Sequence, residues 1–257
     1  MRYLSNPRSL TCLFLAVVLL ALQFGTAGAC TIIVAGKDAT VDGSVITSHT
    51  DACDDSRLYY VEAQKFKKGA MAPVYWGLQD PTIKHGEWEV IGEIPQVERT
   101  FGYFHSGYSH MNEKQLAIGE STQAQRPELG VSRETGEQII TIEQAMIFAL
   151  QRCESSIDAV ELITSLVDEY GLLPSCGPES ETLAIADPLE AWILEVFSVG
   201  PGWTRDSGKP GALWVARRVP HDHVTMVPNW SIVREIDPDD LDTILSENWM
   251  QVAVDHG

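Results

Sequence analysis

Positive charge is scarce in this sequence: 18 Lys and Arg stand against 36 Asp and Glu, a formal charge of −18 over 257 residues. Binding a phosphate backbone takes clustered Lys and Arg, so the charge balance argues against a nucleic-acid partner. An anionic membrane surface is disfavoured for the same reason. Long hydrophobic runs are nearly absent as well. The one extended run, Leu13 to Leu22, falls short of the roughly 20 residues that cross a bilayer, and no second run of that length follows. Internal repeats, low-complexity tracts and EF-hand calcium spacing are also missing. His221-Asp222-His223 has no further ligands at zinc spacing and reads as a solvated strand-end loop. What is present is globular: a chain with 44% hydrophobic and 21% charged residues can bury a core.

Arg2 and Arg8 precede the apolar run, and Ala27-Gly28-Ala29 follows it. A basic start, an apolar stretch of about ten residues and an A-x-A site make up a secretory signal peptide. The expectation is a leader over 1–29 and a single domain over 30–257, exported to the periplasm or beyond. Cleavage after Ala29 makes Cys30 the first residue of the mature chain. Three readings of that cysteine are open: a lipid anchor, a nucleophile using its own α-amine as base, or a structural thiol. The anchor calls for a large aliphatic residue three positions earlier, where this chain has Ala27. Cys12 leaves with the leader, and disulfides involving Cys53, Cys153 and Cys176 stay open.

A free α-amine titrates at about 7.7–8.0 and a thiol at about 8.5. On one residue, the amine can therefore take the thiol proton near neutral pH, directly or through one water. While the leader is attached that nitrogen is an amide, so activity is expected only after cleavage.

Thr31 to Gly36 reads as a buried strand, Asp42-Gly43 as a turn, and Ser44 to Ser48 and Leu58 to Ala63 as further strands. Gly69 to Pro95 reads as loops with short strands. Leu116-Ala117-Ile118, leading into Gly119-Glu120-Ser121-Thr122, is again strand-like. Thr141 and Gln144 form a capping-box pattern, and Ile142, Ala145, Met146, Ala149 and Leu150 recur on one helical face. A second helix begins at Ser156 and carries Ile157, Val160, Ile163, Val167 and Tyr170 before Gly171. Strands are expected over Thr182 to Ala186, Ala191 to Phe197 and Leu213 to Val219. Asp237-Pro238 is expected to open a last helix, with the acids to Asp242 at its N-terminus. Trp192, Trp214, Trp230 and Trp249 read as packing groups. The order of elements predicts an α+β fold of layered sheets with helices outside.

The blocks Cys30-Thr31-Ile32-Ile33-Val34-Ala35-Gly36-Lys37 and Val41-Asp42-Gly43-Ser44 resemble the start of the PepD-type dipeptidases. That family, with the secernins, belongs to the N-terminal nucleophile hydrolases. Met111 to Thr122, Ala186 to Glu195, Trp214 to Pro220 and Pro228-Asn229 continue the resemblance in the family's order. It implies a four-layer αββα sandwich, and hydrolysis of dipeptides through the Cys30 thiol and a thioester. It implies no metal and no organic cofactor. By the same resemblance, Asn229 is a candidate oxyanion donor and Asn112 a second one. His49 stands where the family often has Arg, with Asp51 keeping the acid that follows. The family's Asn-x-x-Arg pattern becomes Asn229-Trp230-Ser231-Ile232, with Arg234 two residues on. Family members usually run well past this C-terminus, so a short variant or a truncated product is expected. Alternatives are an N-acyl amide hydrolase of the bile-salt or penicillin type, or a lipid-anchored or inactive binding protein. Oligomeric state is not readable from the sequence.

Overall fold

A computed structural model describes residues 30–51, 55 and 57–256. The expected leader over 1–29 and Cys53 lie outside the described residues. In chain order the elements are β1 (Thr31–Ala35), β2 (Ile46–Thr50), β3 (Tyr59–Val61), β4 (Met71–Trp76), β5 (Glu89–Pro95), β6 (Tyr103–His105), β7 (Met111–Asn112) and β8 (Ala117–Gln123). The helices α1 (Ile142–Arg152) and α2 (Ser156–Tyr170) come next, then β9 (Ser180–Ala186), β10 (Ala191–Ser198), β11 (Ala212–Arg218), β12 (Val224–Pro228), β13 (Thr243–Leu245) and α3 (Trp249–His256). The fold is α+β, as the order of elements predicts. One sheet runs β13-β11-β10-β9-β8-β7-β6-β3, a second runs β12-β1-β2, and β4 with β5 forms a ribbon. The named pairings within all three are antiparallel.

Strand alternation sorts the core into two parts. Leu183 and Ile185 of β9, with Trp192, Leu194 and Val196 of β10, join the buried residues of α1 and α2. The intervening Ala184, Ala186, Ala191 and Ile193 pack instead against Ile32, Val34 and Val227 of the smaller sheet. Helices therefore cover one face of the large sheet, and the β12-β1-β2 sheet covers the other. Small alanines on the inner face let the two sheets approach closely. The outer face of the small sheet is open: Ile33, Ile46, Val224 and Met226 are each about half exposed or more. Among the described residues the layers are thus helix, sheet and sheet, and the second helical layer of the expected sandwich is not among them.

Thr141 caps α1 by accepting the Gln144 backbone N–H at 3.3 Å. The reciprocal half of the capping box is not made, because Gln144 Oε1 accepts the Tyr75 N–H at 2.9 Å and ties the ribbon to the helix. Ser155 caps α2, and Gly171 ends it with φ 74°. The expected helix at Asp237 does not form. Asp237 and Asp240 accept backbone N–H groups two residues on, Asp240 also takes the Thr243 hydroxyl, and Asp242 pairs with Arg218. Asx-type turns satisfy those donors in place of helical ones. Trp192 and Trp214 are buried packing groups as expected, whereas Trp230 is 62% exposed. Among the described residues no helix is long and apolar enough to cross a membrane.

A Cβ at Gly171 would lie 2.4 Å from Gln138 Cγ and 2.8 Å from Trp203 Cζ3, at a φ that side-chain-bearing residues rarely adopt. Gly171→Ala is expected to lower the free energy of unfolding by about 1–3 kcal/mol, read from the urea midpoint at constant m-value.

Candidate active site

β1 is the central strand of the small sheet, and its register decides what surrounds Cys30. Thr31 pairs with Thr50 on one side and with Pro228 on the other. Extending both ladders by one residue sets Cys30 between Asp51 and Asn229. All three line a cleft of about 420 Å³, together with Gln79, Tyr108, Thr122, Cys176 and Trp230 among others. Cys30 is 7% exposed, and its Sγ lies 4.0 Å from Asp51 Oδ1. A buried thiol facing a cleft, with an acid on one side and an amide on the other, suits a nucleophile better than a packing residue.

The large sheet supplies the floor. Ser121 Oγ donates to the Cys30 carbonyl at 3.1 Å and accepts the Asn229 N–H at 3.1 Å. Asn229 sits in the left-handed region, φ 49°, a conformation Asn tolerates better than most residues. Its Nδ2 donates to the Thr122 carbonyl at 2.7 Å, which fixes the amide plane. The next turn is held by Glu195, whose carboxylate accepts from the Ser231 hydroxyl and from the Ile232 and Val233 N–H groups. Neither Ser121 nor Glu195 was singled out from sequence. Both lie inside family-like blocks, and only the facing of the two sheets reveals what they hold.

His49 does not line the cleft; it lies beneath it, between the sheets, as a neutral hydrogen-bond acceptor. Its Nδ1 accepts the Glu120 backbone N–H at 2.8 Å. Burial, with His110 adding to it, pushes its imidazole down to about 4. A Cβ at Gly119 would stand 3.3 Å from that ring nitrogen, so the ring lies almost on the β8 backbone. It does not supply the fixed charge of an arginine.

Asn112 is not brought to the cleft. Its Nδ2 donates to the Leu150 and Cys153 carbonyls at 2.9 Å each, and its Oδ1 accepts from Lys114 and Leu116. The side chain pins the β7–β8 turn to the end of α1. Arg234 is exposed and is not one of the cleft-lining residues. Cys153 and Cys176 are free thiols. Burial pushes Cys153 up to about 12, and the Cys176 sulfur lies 3.1 Å from Tyr108 Oη. His221-Asp222-His223 forms the solvated turn before β12, with His223 bonded to Asp222.

Behind Cys30 lies a set of enclosed acids. Glu120 and Glu181 adjoin, and Glu143 lies near both; none is more than 1% exposed. Burial pushes Glu120 up to about 7 even though Thr122 donates to its Oε1 at 3.0 Å. Glu181 is raised well above the usual carboxylate range, first by burial and then by Glu120, so the adjoining pair does not sustain two full charges. A ligand atom each from Cys30, Asp51 and Glu120 lies within 4.8 Å of the other two. That spacing also suits a divalent cation, which would occupy the nucleophile.

A family model described as Peptidase family C69 matches residues 29–257. A relative named Dipeptidase, from Bifidobacterium longum (strain NCC 2705), is 24% identical over 233 residues, covering 82% of this chain and 39% of that protein. The chain thus spans about two-fifths of that relative's length.

The native His49 binds its proton only below about 4, whereas an unfolded His does so below about 6.5. Between those values the unfolded chain carries the extra proton, so this residue's contribution to stability falls as pH drops through that window. His49→Asn is expected to lessen the loss of stability between pH 6.5 and 4.5 by on the order of 2 kcal/mol. Urea titrations of both proteins at the two pH values check this.

Proposed function

This chain belongs to peptidase family C69, and from that premise we propose that it is a cysteine-type dipeptidase whose nucleophile is the Cys30 thiol. The observation that carries the reading is the β1 register, which sets Cys30 between Asp51 and Asn229 at the mouth of a cleft. The same reading takes Ala27-Gly28-Ala29 as the cleavage site that frees the Cys30 α-amine on export. The αββα frame belongs to the same reading, its fourth layer seated on the open face of Ile33, Ile46, Val224 and Met226.

The α-amine of the mature Cys30 takes the thiol proton, and the thiolate attacks the scissile carbonyl. Asp51, beside the sulfur, orients it and keeps the proton close. Asn229 donates from its amide to the developing oxyanion, its plane held by Thr122. Collapse breaks the C–N bond, the α-ammonium returns its proton to the departing amine, and a thioester remains. Water, deprotonated by the same amine, attacks the thioester; the C–S bond breaks and the thiol is regenerated. No residue of the eight-stranded sheet reacts: Ser121 and Glu195 hold the reacting groups in register.

Cys30→Ala is expected to lower kcat/KM on a dipeptide panel by at least about a thousandfold, with the fold intact by circular dichroism. A protein with Ala29 still attached is expected to be equally inactive, because its nitrogen is an amide. Full turnover by either one overturns the mechanism.

A further inference from the structure

Two cavities meet at the segment that follows α2. Cys176 and Glu179 line the cleft of about 420 Å³ that holds Cys30. Ser175, Gly177 and Pro178 line a neighbouring cavity of about 500 Å³. Residues 175–179 thus border both spaces and form a partition one chain thick. Two other segments also reach both, with Gln79 and Ala124 on the cleft side and Trp76 and Pro127 on the outer side. The partition is tied from the cleft side. Gln79 Nε2 donates to Ser175 Oγ at 3.2 Å, and Gln79 Oε1 accepts the Cys176 thiol at 3.7 Å. Ser175 Oγ donates in turn to Glu143 Oε2 at 2.9 Å, and Gln79 bonds the same carboxylate. Glu143 is enclosed in the first turn of α1, where the helix dipole favours an anion. Hydrogen bonds to such a carboxylate are the stronger kind. Gln125 Nε2 holds the far end through the Pro178 and Glu179 carbonyls, at 2.9 and 3.1 Å. The stretch 175–177 is left to Gln79 and Glu143, and Gly177 has open space where a Cβ would lie.

A wall held in this way limits what the cleft can take. Its volume lies at the small end of ligand cavities, which run from about 300 to 1,000 Å³. Each residue added to an extended peptide needs up to about 3.3–3.6 Å more room, and the partition blocks the path into the outer cavity. That cavity has mixed walls, Trp76, Pro127 and Val131 beside Ser132 and Thr135, with the Arg133 guanidinium over the Trp76 ring. Such walls suit peptide backbone and side chains. We propose that residues 175–177, tied through Gln79 to Glu143, form a partition that sets substrate length, and that releasing the tie joins the cleft to the outer cavity as a subsite for longer peptides. This rests on the cleft around Cys30 being the substrate site. Gln79 acts as a specificity-determining residue and takes no part in bond making.

The test compares alanyl-alanine with trialanine on the mature protein, on Gln79→Ala and on Ser175→Ala, with products read by mass spectrometry. The wild type is expected to favour the dipeptide by about 100-fold or more in kcat/KM. Gln79→Ala is expected to cut that preference by about 10-fold or more, the size of a lost hydrogen bond to a charged network, through a lower KM for trialanine. Ser175→Ala leaves the cleft lining in place and removes the tie to Glu143, and it is expected to move the ratio the same way. Ser175→Thr keeps the hydroxyl and is expected to keep the wild-type ratio. A ratio unchanged in both alanine variants overturns the proposal, and so does wild-type turnover of trialanine at the dipeptide rate. Calorimetric binding of the two peptides to Cys30→Ala needs no change in the partition and no turnover. Tighter binding of alanyl-alanine supports the partition, and equal binding rejects it. Tighter binding without wild-type hydrolysis of either peptide upholds the partition and rejects the catalytic reading.

Discussion

The Ser121 hydroxyl joins three of the segments from which the cleft is built. It lies on the large sheet, donates to the carbonyl of Cys30 and accepts the amide of Asn229, both on the small sheet. A buried hydroxyl with donor and acceptor both used costs nothing in lost hydration and fixes direction as well as distance. The packing of Ile32, Val34 and Val227 on the alanines of β9 and β10 brings the sheets together. Apolar contact alone tolerates sliding, and the hydroxyl sets the alignment at the one place where the chemistry needs it.

The same junction concentrates acids without cations. Glu120, Glu181 and Glu143 are enclosed between the large sheet and α1, and they share protons because their charges cannot all be sustained in that environment. Natural cores rarely keep such groups unless something other than stability retains them. His49 gives the opposite response to the same burial: it gives up its charge and is held as a neutral acceptor over Gly119. The departure from the family's arginine thus replaces a fixed positive charge by a neutral ring.

Glu195 shows how a charged residue serves position. Its carboxylate takes three donors from residues 231–233, so the chain leaves β12 on a fixed path and Asn229 keeps its left-handed backbone. Trp230, exposed beside it, is thereby set at the cleft rim. The fold uses the buried carboxylate of Glu195 to hold a turn, whereas that of Glu120, among the described residues, takes only the Thr122 hydroxyl and the neighbouring Glu181. The difference lies in whether backbone donors are within reach.

Much was legible along the chain because the signals are local. The strand after Cys30, the Thr141 cap, the stripe from Ile157 to Tyr170 and the stop at Gly171 follow from periodicity and backbone preference, and each reappears in the fold. Asp237-Pro238 carried a local helix signal, but neighbouring aspartates offered the same N–H groups a turn. β12 went unseen as a strand although it delivers Asn229, because its pattern has meaning only beside β1. Asn229 was the first candidate and Asn112 the second, and register put the one in the cleft and sent the other to the end of α1. The sequence by itself determined the strand that follows Cys30 and the helices that back the large sheet, since these depend on neighbours within a few residues. Tertiary structure decided the partners of Cys30, the neutral state of His49 and the pairing of Glu120 with Glu181. Those depend on distance and dielectric across two sheets, which no stretch of chain encodes alone.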